Sequence, residues 1–86
     1  MKILLHKNFQ KHYLKLTESQ KKKFKERRNL FLQDEFNPAL NNHSLRGKYL
    51  GYRSINITGD LRVIFKKEVN GNIMFIDLGS HSNLYG

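Results

Sequence analysis

The spacing of apolar residues changes period near the middle of the chain. Up to residue 36 it is helical. Phe9, Tyr13 and Leu16 recur at i, i+4 and i+7, which predicts a helix over 8–16 with Asn8 as its N-cap. A short first strand, Lys2–Leu5, precedes it. Thr17-Glu18-Ser19-Gln20 has the form of a capping box and opens a second helix that is read through to Phe36. Phe24 and Phe31, seven residues apart, form one stripe of that helix, and Leu32 and Phe36 share a neighbouring face. Asn37-Pro38 stops it, because a residue before proline avoids the α region.

Residues 37–51 have little periodicity and are read as a loop. Beyond them the period becomes two. Arg53, Ile55 and Ile57 alternate with Tyr52, Ser54, Asn56 and Thr58. Thr58-Gly59-Asp60 reads as a turn. Leu61, Val63 and Phe65 then share one face of a strand over 61–69. Asn70-Gly71 predicts a type I′ hairpin into a last strand over 72–78. Helices first and a meander afterwards predict an α+β fold, in which two N-terminal helices pack on a small antiparallel sheet made of the short N-terminal strand and a three-strand meander. With 86 residues and no internal repeat or linker, the chain is read as a single domain over 1–86.

Composition narrows the function classes. There is no cysteine, so disulfides, thiolate metal sites and cysteine nucleophiles are excluded. The four apolar residues in MKILLHK are too few for a signal peptide or a membrane span, which implies a cytoplasmic protein with no membrane partner. The sequons at 42–44 and 56–58 are read as chance. Sixteen Lys and Arg against seven Asp and Glu give a net charge of +9, which favours a polyanionic or acidic partner. Lys21, Lys22, Lys23, Lys25, Arg27 and Arg28 concentrate that charge on the second helix, either as a solvated face or as a phosphate-tracking one.

No P-loop, dinucleotide fingerprint or zinc motif is present. His6, His12, His43 and His81 lack metal-ligand spacing, so neither a metal nor a cofactor is expected. A different set of residue types stands out: His43, Arg53, Asp60, Arg62, His81 and Tyr85. Histidine exchanges protons near neutral pH. Arginine holds a phosphate bidentately and stabilises developing charge. A carboxylate orients a histidine or acts as a base, and tyrosine stacks on a nucleobase. Together they suit metal-free phosphodiester cleavage. Each also has an ordinary reading: a surface histidine, an Asp60–Arg62 pair, a Tyr85 packed over a sheet edge.

"LRGKYLGYRSINITGDLRVIF", followed by "GSHSNLY", resembles the RelE/YafQ-like toxins of bacterial type II toxin–antitoxin systems, and the YafQ branch in particular. The pattern comprises His43, Leu45, Gly47, Gly51, Arg53, Asp60, Gly79, Ser80, His81, Leu84 and Tyr85. The resemblance implies a RelE-like fold and a ribosome-dependent, metal-independent endoribonuclease. Messenger RNA would be cut in the ribosomal A site by attack of the 2′-hydroxyl, leaving a 2′,3′-cyclic phosphate. It implies acid–base roles for His43, Asp60 and His81, a substrate-orienting role for Tyr85, and phosphate contacts for Arg62 and Arg53, with Arg46 and Lys48 as further RNA backbone contacts. Gly79 and Ser80 would let the chain leave the last strand so that His81 turns toward the phosphate. The implied partners are an antitoxin with an acidic binding segment, encoded just upstream, and operator DNA reached only through the antitoxin complex. The chain departs from the branch at Asn56, where a histidine is usual, at Leu61, where an aromatic is usual, and at Asp77, where an arginine is frequent. Two alternatives stay open: a ParE-like gyrase inhibitor on the same scaffold, and a catalytically weakened RNA- or ribosome-binding homologue.

Overall fold

The computed structural model describes residues 1–85. In chain order the elements are β1 (Ile3–Leu5), α1 (Lys7–Tyr13), α2 (Glu18–Gln33), β2 (His43–Ser44), β3 (Arg53–Asn56), β4 (Leu61–Lys67), β5 (Ile73–Ser80) and α3 (His81–Tyr85), with 3-10 turns at Pro38–Leu40 and Gly47–Tyr49. The strands form one five-stranded sheet in the order β1-β5-β4-β3-β2. The expected α+β class holds, but the sheet is mixed: β1 pairs parallel with β5, and all other pairs are antiparallel.

Local chemistry explains most boundaries. Thr17 caps α2 with a full capping box: its hydroxyl accepts from the Gln20 N–H, and the Gln20 side chain accepts from the Thr17 N–H. The cap of α1 is His6 rather than Asn8, because His6 Nδ1 accepts the Asn8 N–H at 3.1 Å. Helix α2 stops at Gln33, short of Phe36. Asp34 turns extended there, and its carboxylate accepts the Phe36 N–H at 3.3 Å, the kind of local side-chain bond that competes with a helix. The Asn70-Gly71 turn is not type I′, which needs positive φ at both residues. Only Gly71 has it, at 85°, and its N–H donates to the Glu68 carbonyl, which gives a longer connection over Glu68–Asn72.

One face of the sheet packs against α1 and α2. Its core holds Ile55, Val63, Phe65, Ile73, Phe75 and Leu78 from the strands, with Phe9, Phe24 and Phe31 from the helices. Leu61, one of the departures noted in the sequence, also lies in this core. Phe75 is the hub: its ring centroid lies 5.6, 6.1, 6.0 and 6.3 Å from those of Phe9, Phe24, Phe31 and Phe65.

A β-bulge sits between β4 and β5. Ile64 pairs with Asp77 and Phe65 with Phe75, so Ile76 is the extra residue. Strict alternation would put Asp77 on the core face beside Phe75. The bulge moves the carboxylate out of the core and lets Leu78 enter it instead.

Candidate active site

The sheet face turned away from α1 and α2 carries His43 and Arg62. Directly paired residues of antiparallel strands share a face, so the registers place side chains in rows. One row runs His43, Ser54, Ile64, Asp77 across β2 to β5. The next runs Asn56, Arg62, Gly79. His43 and Arg62 are two strands and one row apart, about 12 Å between Cα atoms by sheet geometry. An imidazole and an extended guanidinium at that separation can converge on one nucleotide.

His43 is half-buried, and its Nδ1 lies 2.7 Å from the Asn41 carbonyl oxygen. A carbonyl only accepts, so Nδ1 carries the proton and the lone pair of the neutral ring is at Nε2. Asn41 presents that carbonyl from a left-handed conformation, φ 46°, at the end of the Pro38–Leu40 turn.

The β3–β4 turn is tied by Thr58, whose hydroxyl accepts from the N–H groups of Asp60 and Leu61. Asp60 does not pair with Arg62. Its carboxylate and its carbonyl both accept the His81 N–H, at 3.2 and 3.0 Å, which fastens the start of α3 to the turn. Ser80 completes the junction by accepting the Asn83 N–H at 3.1 Å. The last strand runs through Ser80, and Gly79 is not in a left-handed conformation. The exit from β5 is therefore made by these caps and not by glycine.

Arg62 donates from Nη2 to the Gly59 carbonyl at 2.9 Å. Its Nε is buried without a partner among the described residues, as are Ser54 Oγ, Asn56 Oδ1 and Tyr85 OH. Buried polar atoms are normally satisfied, and these lie on or beside one sheet face. Tyr85 is not an open stacking platform: its ring is 4.8 Å from that of His81 and meets Tyr49 edge-on at 6.0 Å, between centroids. His81 is exposed, and its ring makes no hydrogen bond among the described residues.

Arg46 and Lys48 stand exposed on the loop that carries Tyr49, and the Lys48 ammonium lies 5.2 Å from the Tyr49 ring centre. Arg53 is placed elsewhere. It shares a face with Ile55, its Nε donates to Asn42 Oδ1 at 2.8 Å, and its guanidinium lies 5.5 Å from the Phe36 ring centre. It braces the segment just after α2 and does not line the face of His43 and Arg62.

Periodicity missed a close side-chain pair beside this face. His12 Nδ1 lies 2.6 Å from Asp77 Oδ1. Pairing of β1 with β5 ends at Phe75, which leaves the edge of β5 open for α1 to reach. The bulge that turns Asp77 outward leaves no mark in the residue pattern. Asp77 also acts on Tyr49. Burial, then the Asp77 carboxylate, then the Tyr85 phenol push the Tyr49 phenol above its ordinary 10.0. The folded state thus keeps this proton where the unfolded chain loses it. Stability from this group is intact below pH 10 and is lost as pH rises through the raised value. In a phenolate absorbance titration, the step removed by Tyr49→Phe is expected above pH 10, and Asp77→Asn is expected to move it down.

Among the described residues no three His, Cys, Asp or Glu side chains come together to hold a metal, and no helix is long and apolar enough to cross a membrane. Among curated protein sequences none matches the chain. The fold is similar to YafQ from E. coli strain BL21(DE3), with a TM-score of 0.78 and 22% identity over 98% of this chain and 97% of that one. It is similar to a copper-bound mutant toxin from Helicobacter pylori, with a TM-score of 0.76 and 26% identity over 99% of each chain. It is also similar to a chain of the E. coli DinJ–YafQ toxin–antitoxin complex, with a TM-score of 0.75 and 24% identity over 98% of this chain and 96% of that one. The family model described as "Bacterial toxin of type II toxin-antitoxin system, YafQ" matches residues 1–86. The chain therefore belongs to the YafQ family of bacterial type II toxin–antitoxin toxins.

Proposed function

We propose that the protein is a ribosome-dependent endoribonuclease that cleaves messenger RNA in the A site without a metal. The observation that carries this reading is the group of buried polar atoms without a hydrogen-bond partner among the described residues, Asn56 Oδ1, Arg62 Nε and Tyr85 OH, on or beside the sheet face that carries His43. His43 Nε2 takes the proton of the ribose 2′-hydroxyl. The 2′-oxygen attacks the adjacent phosphorus, and the bond from phosphorus to the 5′-oxygen breaks. His81 gives the leaving oxygen its proton. The products are a 2′,3′-cyclic phosphate and a 5′-hydroxyl. Arg62 neutralises the charge that builds on the phosphoryl oxygens. Asp60 acts through the backbone of His81 as a positioning residue. Paired acid–base catalysis of this kind supplies about 10²–10⁴-fold of rate.

The partner in this reading is an antitoxin whose acidic segment covers the basic face, as DinJ accompanies YafQ in the E. coli complex. Operator DNA is then bound only through that complex. A purified translation reaction tests the activity. Messenger is expected to be cut only with ribosomes present, leaving a cyclic phosphate end, and His43→Ala is expected to slow cleavage by about 10²-fold or more. Intact messenger on active ribosomes, together with loss of gyrase supercoiling, would reverse the assignment in favour of a gyrase inhibitor.

A further inference from the structure

We propose that the trough between α2 and the β3–β4 turn binds a phosphodiester stretch of RNA; this rests on the RNA-cleaving reading above. Two adjoining pockets form the trough, with volumes of about 350 and 340 Å³, and they meet at Lys23 and Thr58. Lys22, Lys23 and Arg27 supply the α2 bank. Asn56, Thr58 and Gly59 supply the opposite bank. The β3 bank is an open sheet edge here, because β2 pairs with β3 only at Arg53 and Ser54.

The fold sorts the six basic residues of α2. Lys21 lies 5.6 Å from the Tyr13 ring centre and 3.8 Å from the Glu18 carboxylate. Arg28 donates to Asn29 Oδ1 at 3.3 Å. Lys25 is exposed and lines neither pocket. Lys22, Lys23 and Arg27 are left to the trough. Arg27 spends one N–H, on the Ala39 carbonyl at 3.3 Å, and a guanidinium has about five. Lys23 has a loose surface pair with Glu26 at 3.9 Å, which holds it weakly. Opposite them, the Thr58 hydroxyl already accepts the N–H groups of Asp60 and Leu61, so its own proton is left to donate. The pocket shared by Lys23, Arg27 and Thr58 has no carboxylate in its walls, so its donors select an anion. Lys23 and Arg27 stand one helical turn apart, about 6 Å along the axis, which suits a chain of regularly repeated charge. Gly59 lines the trough, and its carbonyl accepts from Arg62 Nη2, so the trough and the proposed cleavage site touch one turn. That shared turn favours RNA over an acidic protein segment as the occupant.

The test is binding of a labelled single-stranded oligoribonucleotide to the intact protein, read by fluorescence anisotropy over a salt series. Lys23→Ala and Arg27→Ala are each expected to weaken binding about tenfold. Each should also flatten the slope of log affinity against log salt by about 0.7, the share of one phosphate contact on a single strand. Lys25→Ala removes the same charge from the same helix outside the trough and is expected to bind like the wild type. Lys23 makes no hydrogen bond among the described residues, so its variant is informative even if Arg27→Ala unfolds. Trough variants that bind like the wild type, or an equal loss in Lys25→Ala, would overturn the proposal in favour of diffuse charge. A polyglutamate peptide that binds more tightly than the RNA and depends on Arg27 would overturn it in favour of an acidic protein segment. Inorganic phosphate that displaces the oligonucleotide at equal concentration would overturn it in favour of a free-anion site. Vacant ribosomes and ribosomes carrying messenger then separate the two sources: weakened binding of Lys23→Ala to both assigns the strand to ribosomal RNA, and to the second alone assigns it to messenger. Trough-dependent RNA binding by a protein that never cuts messenger on ribosomes would support the trough and sink the nuclease reading alone.

Discussion

Arg62→Ala is expected to lower ribosome-dependent cleavage by about 10²–10³-fold, the range seen when one preorganised donor to a developing oxyanion is removed. The same change should leave the melting midpoint within a few degrees of wild type. The reason lies in what Arg62 does in the free protein. Among the described residues it makes one hydrogen bond, from Nη2 to the Gly59 carbonyl, and holds Nε buried with no partner. Removing one hydrogen bond costs about 1 kcal/mol, and removing an unsatisfied buried donor offsets part of that. Arg62→Lys separates charge from geometry. Lysine keeps the positive charge but loses the planar fork, so it should recover only a small part of the rate. Single-turnover cleavage of ribosome-bound messenger checks both variants. Full activity in Arg62→Ala, or full rescue by lysine, would remove Arg62 from the site.

Much of this arrangement was legible in the chain, and the gaps have physical causes. The capping box at Thr17, the core stripe Phe24–Phe31 and the shared face of Leu61, Val63 and Phe65 are local patterns, and the structure contains them. Features set by distant residues were not readable. β1 joins the sheet beside β5, a partner some 70 positions away in the chain, through pairs such as Ile3 with Ile73. β2 is only two residues long and exists because His43 and Ser44 pair with Ser54 and Arg53. The bulge at Ile76 broke the alternation without any glycine or proline to announce it.

The site residues divide the same way. His43, Arg62, His81 and Tyr85 lie on or around one sheet face, whereas Arg53 does not. Its placement was in fact written in the pattern: it alternates in phase with Ile55, which belongs to the core. The residue type suggested phosphate; in the structure its guanidinium lies against Asn42 and Phe36. Asp77 shows the opposite case. Its carboxylate stands where the YafQ branch often has an arginine, yet His12 lies 2.6 Å from it. The carboxylate is met from α1, by a residue that no local pattern connects to β5.

Phe75→Ala is expected to produce the largest loss of stability in the protein, about 3–5 kcal/mol. Phe75 is fully buried and lies at the centre of four other rings: Phe9 from α1, Phe24 and Phe31 from α2, and Phe65 from β4. Truncation removes the apolar contacts and leaves a cavity that these rings, held on three different elements, cannot collapse to fill. A domain of this size has only about 5–15 kcal/mol of total stability, so the variant should sit near the unfolding threshold. Each kcal/mol corresponds to about 4–8 °C in the midpoint for a chain of this length, which places the expected drop at about 12 °C or more. Phe75→Leu keeps most of the volume and should lose far less. The prediction has a functional arm as well. Phe75 lies two residues before Asp77 and pairs with Leu5 at the end of β1, so its loss should loosen the edge where His12 meets β5. Thermal unfolding of both variants, followed by circular dichroism, decides the point. A midpoint for Phe75→Ala within a few degrees of wild type would mean that the helices do not depend on this ring for their seat on the sheet.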